Sequence, residues 1–411
     1  MHKTIPLATI PVSSKELLAI SVKLVAGEGI AGKDVSRFES DLTTYLGVDK
    51  TFSFNTGRTA LYVALQALNL NPGEEVIVPA YTCAIVFEVI LRLGLRPVFV
   101  DVDVETCNIN PELIQKAVTP KTKVIVPVHL FGRPCDMDPI LEISEKLGLY
   151  LVEDVAQALG ARFKNQKVGT FGDLAMFSFG PGKSITGGEG GALAVNNSEL
   201  GERIGRICAQ LPRPGWRWVL HVVRNVTAMK VFSHPSMYAL IKNYVEESVG
   251  ESDRMILHNC LSMQKDTPTL CPTVKLAKMP NLSAAIIREQ LLKADRFNEK
   301  RIANANKLTA LLGEIDGKEV SVSKRDPDVK STYTRYVVRV IKGNRELIMN
   351  KLLRQGIGVA RPYYYIGMLL EKLSSEKYQH AENLANSLMA LPNHPLLTES
   401  DVQDIYDIFI Q

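Results

Sequence analysis

The 411-residue chain contains no long apolar run. No window approaches the roughly 18 uncharged apolar residues of a membrane span, so no transmembrane helix is expected. It also lacks any C-x-x-C pair: Cys83, Cys107, Cys135, Cys208, Cys260 and Cys271 lie scattered. That pattern fits free thiols in a reducing cytosol better than a disulfide frame or a zinc site. The seven histidines show no pairing at metal-ligand spacing, and a net charge of +4 is small for this length. A dedicated nucleic-acid binder is therefore not expected. Internal repeats and low-complexity tracts are missing. The opening Met1-His-Lys-Thr-Ile-Pro6 lacks the apolar run of a signal peptide, so a cytoplasmic protein is expected. One absence is local: no acidic residue occurs within 203–245, a stretch that carries Arg213, Arg217, Arg224, Lys230 and Lys242 among Trp216, Trp218, Phe232, Tyr238 and Tyr244.

What is present is a rhythm. Short β-branched apolar runs at 76–80, 97–101, 123–127, 150–153, 174–178 and 192–195 alternate with helical spacing at 59–70, 111–118 and 139–147. This alternation predicts an α/β domain built on a mostly parallel sheet, whose ligands sit at the carboxyl ends of the strands. The length calls for a second domain. We expect a large domain over 1–280, with a helical basic-aromatic insertion at about 203–255, and a small C-terminal α+β domain over 281–411. In the latter, a long helix is expected over 282–312, a strand over 332–341, helices over 344–355 and 382–389, and a last helix from Glu399.

The most informative stretch is Phe177-Ser-Phe-Gly-Pro-Gly-Lys183-Ser-Ile-Thr-Gly-Gly-Glu-Gly-Gly191. A lone lysine in a glycine loop is ordinarily a solvated side chain. Directly after an apolar strand, its amine is placed to form a Schiff base with an aldehyde, and the glycines let backbone approach a bulky ligand. Two further parts suit the same ligand. Asp154 ends the apolar run Leu149-Tyr-Leu-Val-Glu-Asp154, where a carboxylate needs a cationic partner such as a pyridinium N–H. Asn55-Thr-Gly-Arg-Thr-Ala60 opens a helix, whose N-terminal amides attract an anion. Gly57 allows close approach, Thr59 can add a hydroxyl and Arg58 a charge; Ser178 can share the phosphate, and Gln157 can reach a phenolic oxygen. Together these describe a pyridoxal 5'-phosphate site.

The order Gly-Arg-Thr-Ala-Leu, Val-Pro-Ala-Tyr-Thr, Val-Phe-Val-Asp-Val-Asp, Val-Pro-Val-His-Leu-Phe-Gly, Val-Glu-Asp-Val-Ala-Gln-Ala, Phe-Ser-Phe-x-x-x-Lys and Gly-Glu-Gly-Gly closely resembles the DegT/StrS-type sugar aminotransferases. The likeness runs from about Ile5 to the end and includes Arg361-Pro-Tyr-Tyr364 and Leu391-Pro-Asn-His-Pro395. It implies a fold-type I enzyme with Lys183 as Schiff-base lysine and Asp154 at the ring nitrogen. It further implies Gln157 at the ring oxygen, and Ser178, Gly57, Arg58 and Thr59 at the phosphate. Three features depart from the family pattern. Cys83 stands where many members stack an aromatic on the ring. Leu276-Ala-Lys-Met279 replaces the usual Asn-x-Arg-Met, whose asparagine reaches the partner subunit's phosphate. The basic stretch around Trp216 is longer than the usual connection.

The resemblance implies transfer of an amino group from an amino acid, glutamate being the expected donor, to a keto sugar, with nucleotide-linked sugars of polysaccharide or secondary-metabolite synthesis as the expected class. A homodimer with sites at the subunit boundary is expected. One rival is a sugar dehydratase on the same fold, a branch that carries histidine at the lysine position. Another is a regulatory or binding protein that keeps the fold without turnover. The basic-aromatic stretch is expected to pack on protein, with several faces covered, because Pro214 and Pro235 limit any continuous helix.

Overall fold

The computed structural model describes residues 4–233, 237, 275–323, 326–363 and 378–410. After helices α1 (Ser14–Val25) and α2 (Asp34–Leu46), the chain alternates through β1 (Lys50–Phe54), α3 (Gly57–Ala67), β2 (Glu75–Pro79), α4 (Ile85–Arg92), β3 (Arg96–Val100), α5 (Pro111–Ala117), β4 (Thr122–Ile125), α6 (Met137–Leu147) and β5 (Tyr150–Asp154). The short strands β6 (Arg162–Phe163) and β7 (Gln166–Lys167) precede β8 (Leu174–Ser178) and β9 (Gly191–Val195). Seven strands form one sheet in the order β1-β9-β8-β5-β4-β2-β3. From β8 to β3 every pairing is parallel, and β9 alone runs opposite, pairing antiparallel with both β1 and β8. The apolar runs read from the sequence are these strands. Val76, Ile77, Val124, Ile125, Val152 and Leu174 are buried because helices cover both faces of the sheet. β1, α1 and α2 were not anticipated.

Two helices follow β9, α7 (Ser198–Gln210) and α8 (Trp216–Phe232), so the insertion is helical as far as it is described; Tyr238, Lys242 and Tyr244 lie outside the described residues. Val219, Val222 and Val226 of α8 are buried against Val12, Ile20, Leu282 and Ile286. Leu220 is 62% exposed and Trp216 47%, so α8 is covered on one main face and not, as expected, on several. The helix packs on protein, and among the described residues none is long and apolar enough to cross a membrane.

The helix expected over 282–312 is two, Asn281–Leu291 and Ala294–Leu312, broken where Leu292 turns out to solvent at 83% exposure. The second half joins two cores. Ala294 and Phe297 pack with Phe38, Phe177 and Ala194 of the large unit, while Ala305, Leu308 and Leu312 pack with Val338, Met389 and Ile405 of the small one. One helix thus contributes residues to both cores. The small sheet is β10 (Val320–Val322), β12 (Tyr336–Val340) and β13 (Leu388–Leu391), with β12 central; β11 (Val329–Lys330) pairs with β6. Met389, expected at a helix end, lies in β13 after the helix Gln379–Ser387. The strand expected from Thr332 begins at Tyr336, because the preceding residues bond across to the large unit: Thr332 N donates to Gly132 O at 2.9 Å and Thr334 Oγ1 to Gln157 O at 2.5 Å.

Candidate active site

The site begins where β1 turns into α3. Thr56 caps the helix, its hydroxyl accepting from Thr59 N at 3.1 Å. Thr59 Oγ1 donates to Asn55 Oδ1 at 2.7 Å and is buried, so this hydroxyl shapes the turn. The sequence reading aimed it at the ligand. The first amides of α3 face outward with no place in the helical ladder. Ser178, at the end of β8, closes this cup. A Cβ built on Gly57 would lie 2.7 Å from Ser178 Cβ and 3.0 Å from its hydroxyl, a clash that only glycine avoids. Gly191, paired with Ser178, is required for the same reason: its Cβ would meet Thr56 O at 2.2 Å. Arg58 Nε stands 3.6 Å from the buried Glu88 Oε2, so its charge also serves that carboxylate.

Asp154 closes the other end. It is 5% exposed and accepts from Ala156 N at 2.9 Å, and among the described residues it has no ion pair. Burial raises its pKa, opposed by the Ala156 amide, Lys183 and His129. The alternation of a strand sends the adjacent Glu153 to the opposite face. There Glu153 accepts from the amides of Gly169, Phe171 and Gly172 at 2.7, 2.8 and 2.8 Å. His129 Nδ1 accepts from Cys135 N at 3.0 Å, which leaves Nε2–H to donate to Glu153 Oε2 at 3.0 Å. Since His129 N also donates to Asp154 O at 3.1 Å, this buried pair fixes the strand end that carries Asp154. The sequence reading missed His129 and Glu153, although both lie inside the quoted motifs.

Gln157 is buried, and its amide is engaged: Nε2 donates to Tyr363 Oη at 2.6 Å and Oε1 accepts from Phe131 N at 3.2 Å. A second Nε2 hydrogen remains for a ligand oxygen. Phe131 holds φ at +57°, a strained value for a bulky residue, and its ring stacks on Tyr363 at 6.0 Å. Tyr81 meets Tyr363 edge-on at 5.9 Å. Aromatic surface thus lies near Gln157, while Cys83 offers only a thiol.

Lys183 is half-buried in the loop between β8 and β9. Phe179 N donates to Gly190 O at 2.9 Å and Gly187 N to Phe179 O at 3.0 Å, closing the loop's base. Beside the lysine, Ser184 O accepts from Arg301 Nη2 at 2.6 Å and Ser184 Oγ meets Thr334 Oγ1 at 2.9 Å. Burial lowers the Lys183 pKa from its usual range, partly offset by Cys83 and Asp154. A larger share of neutral amine follows, as a nucleophile and base needs. A cavity of about 260 Å³ opens beside it, lined among others by Ile10, Met229, Arg301, Thr334 and His394. α8 braces the loop from outside: Asn225 Nδ2 donates to Gly188 O at 3.0 Å, and His221 Nε2 lies 3.6 Å from Glu189 Oε1.

Glu189 is a third residue that the sequence reading passed over. Burial pushes its carboxyl up to about 7, against the pull of Arg58 and Lys183. The folded chain therefore keeps this proton between the unfolded pKa near 4.5 and the folded value near 7, where the unfolded chain has released it. Stability falls as pH rises through that window, and the loss is complete above it. Glu189→Gln is expected to stabilise the cofactor-free protein at pH 8 by up to about 3 kcal/mol and to leave it nearly unchanged at pH 4.5. Urea unfolding at the two pH values checks this; an equal effect at both would contradict it.

A half-buried amine of lowered pKa, a buried carboxylate without an ion pair, and a helix N-terminus cradled by glycine and serine fit an aldehyde, a ring nitrogen and a phosphate. The donor set thus suits pyridoxal phosphate, and among the described residues no group of three or more His, Cys, Asp or Glu could hold a metal. Comparison with known proteins agrees with this chemistry. The dTDP-3-amino-3,4,6-trideoxy-alpha-D-glucose transaminase of Streptomyces venezuelae is 28% identical over 395 residues, covering 95% of this chain and 89% of the relative. The GDP-perosamine synthase of Escherichia coli O157:H7 is 30% identical over 377 residues, covering 90% and 88%. The crystal structure of S. venezuelae DesV in complex with a ketimine intermediate superposes with a TM-score of 0.73 at 27% identity, covering 96% of this chain and 93% of that one. The DegT/DnrJ/EryC1/StrS aminotransferase family model matches residues 13–409, and the chain belongs to that family.

Proposed function

We propose that this enzyme moves an amino group from an amino acid, glutamate in the first instance, to a nucleotide-linked keto sugar, with pyridoxal phosphate held by Lys183. The observation that carries this reading is Lys183 itself, half-buried, lowered in pKa and within electrostatic reach of Asp154. Bound there, the cofactor would supply an aldehyde for the amines and a ring that draws electrons from the reacting carbon. The protein's part is positional. The α3 amides and Ser178 would hold the phosphate, and Gln157 the ring oxygen. The Asp154 carboxylate would hold the ring N–H and keep that nitrogen protonated. Displaced from the cofactor by the donor amine, Lys183 Nζ would be the group that takes the proton from the donor's α-carbon and gives it back, acting as base and then acid.

The relatives named for dTDP- and GDP-linked sugars support a nucleotide-linked acceptor. The lysine at position 183 favours transfer over dehydration, whose branch carries histidine there. The test is absorbance. Glutamate should bleach the colour of the cofactor-loaded protein, and a nucleotide-linked keto sugar should restore it; no bleaching by any amino acid would overturn the reading. A C2 homodimer belongs to the same reading, being the commonest assembly and one that would cover the exposed Trp216, Leu220 and Val231 of α8. Light scattering at micromolar concentration should give twice the chain mass; a fully active monomer would exclude it.

A further inference from the structure

We infer that Glu189 carries a proton whenever an anion fills the phosphate cup and donates it to that anion, so that cofactor binding takes up a proton. This inference rests on the reading of the site as one for pyridoxal phosphate and adds a residue to it. Ser178 pairs with Gly191 across the β8–β9 hairpin, and Phe179 N donates to Gly190 O at 2.9 Å. Glu189 lies two residues before Gly191, on the face that Ser178 presents to the cup. Distances agree. The point where a Cβ would stand on Gly180 is 3.6 Å from Glu189 Oε2 and 3.9 Å from Ser178 Oγ. The carboxyl and the hydroxyl thus flank one glycine at the rim of the cup.

The backbone on either side of Glu189 is fixed. A Cβ on Gly188 would meet Val222 O of α8 at 2.8 Å, and one on Gly190 would meet Ile287 Cδ1 at 3.0 Å. Asn225 Nδ2 also donates to Gly188 O at 3.0 Å. An anion in the cup therefore meets this group either as a carboxylate or as a carboxylic acid. The carboxylate would repel it, which raises the pKa of the pair, whereas the acid has an O–H to donate.

The charges facing Glu189 do not cancel it. On α3, Arg58 acts on Glu189 but also stands 3.6 Å from the buried Glu88 Oε2, so its charge is divided between two acids. In the loop, Lys183 is reserved for the aldehyde, and burial lowers its pKa. On α8, His221 Nε2 lies 3.6 Å from Glu189 Oε1; burial and Arg224 hold this imidazole below its usual pKa, so it is neutral at pH 7. With the cup empty, the Glu189 carboxyl titrates near 7, and an anion beside it moves it further up. Its side chain is 23% exposed, so the proton comes from solvent. Below pH 7 the acid is already present. Above it, binding must take up a proton, and affinity falls by up to about tenfold per pH unit.

The experiment is calorimetry on the cofactor-free full chain, wild type against Glu189→Gln, at pH 6.5 and 8.5. The probe is pyridoxine 5'-phosphate, whose alcohol does not react with Lys183. Lys183, Asp154 and the probe titrate in both proteins, so the difference between them reads Glu189. We expect Kd values within about 2-fold at pH 6.5 and binding by the variant about 10-fold tighter than by wild type at pH 8.5. At pH 7.5, in buffers of different ionisation enthalpy, wild type should take up roughly half a proton to one proton more than the variant. Pyridoxine, which lacks the phosphate, should show neither difference. If Glu189→Gln does not fold, Glu189→Ala removes the same proton and should give the same difference in uptake. Variant binding equal to or weaker than wild type at pH 8.5, or equal proton uptake, would overturn the inference and leave the cofactor reading standing. A wild type that binds pyridoxine 5'-phosphate at neither pH would overturn both.

Discussion

Lys183→Ala is expected to lower amino transfer by at least about 10⁴-fold, since one side chain is asked both to hold the cofactor and to move the proton. The loss should fall on the chemistry and not on the fold. Phe179, Gly187 and Gly190 close the loop through backbone bonds, and Ser184 is pinned by Arg301 and Thr334, none of which uses the lysine amine. Removing a half-buried cation of lowered pKa should leave thermal stability equal or slightly raised. The variant should still take up pyridoxal phosphate through the α3 cup and Asp154, with the absorbance of a free aldehyde. Substantial amino transfer by the variant, measured with the same donor and acceptor, would show that another residue moves the proton.

Asp154→Asn should cut the rate by about 10³-fold, the equivalent of three pKa units at the ring nitrogen. The amide keeps the hydrogen bond to Ala156 N available but cannot hold the ring nitrogen protonated. A second readout separates this role from a structural one. Burial raises the Asp154 pKa in the cofactor-free protein, so the native state holds a proton that the unfolded chain releases, and stability is lost as pH rises through the folded pKa. Asn removes that cost. The cofactor-free variant should therefore melt at the same or a higher temperature at neutral pH, while added pyridoxal phosphate stabilises it less than wild type. Near-normal turnover, or a cofactor-free variant of sharply reduced stability, would contradict the assignment.

The parallel sheet could be read from sequence because its strands are buried on both faces and appear as unbroken β-branched runs, as at Val76 to Val78 and Val124 to Val126. The proposed site drew attention in the sequence because Asp154 ends a strand, Gly57 starts a helix and Lys183 lies in the glycine loop after β8, where a buried charge or a bare backbone needs a reason. Periodicity carried less in the small unit. Leu388 to Leu391 are all buried, and a short apolar run fits a helix end as well as a strand. Neither proline nor glycine marks the break at Leu292; tertiary packing of the two half-helices on different cores sets it. The Glu153–His129 pair and Glu189 against α8 depend on contacts between segments 24 to 32 residues apart, which no local pattern encodes.

The central claim is that Lys183 holds the cofactor. Borohydride reduction of the cofactor-loaded protein, followed by peptide mass mapping, tests it most directly. The account predicts one pyridoxyl group, on the peptide containing Lys183, and its loss after prior incubation with an amino donor that the enzyme accepts. A label on Lys164 or Lys167, with Lys183 unmodified, would contradict it.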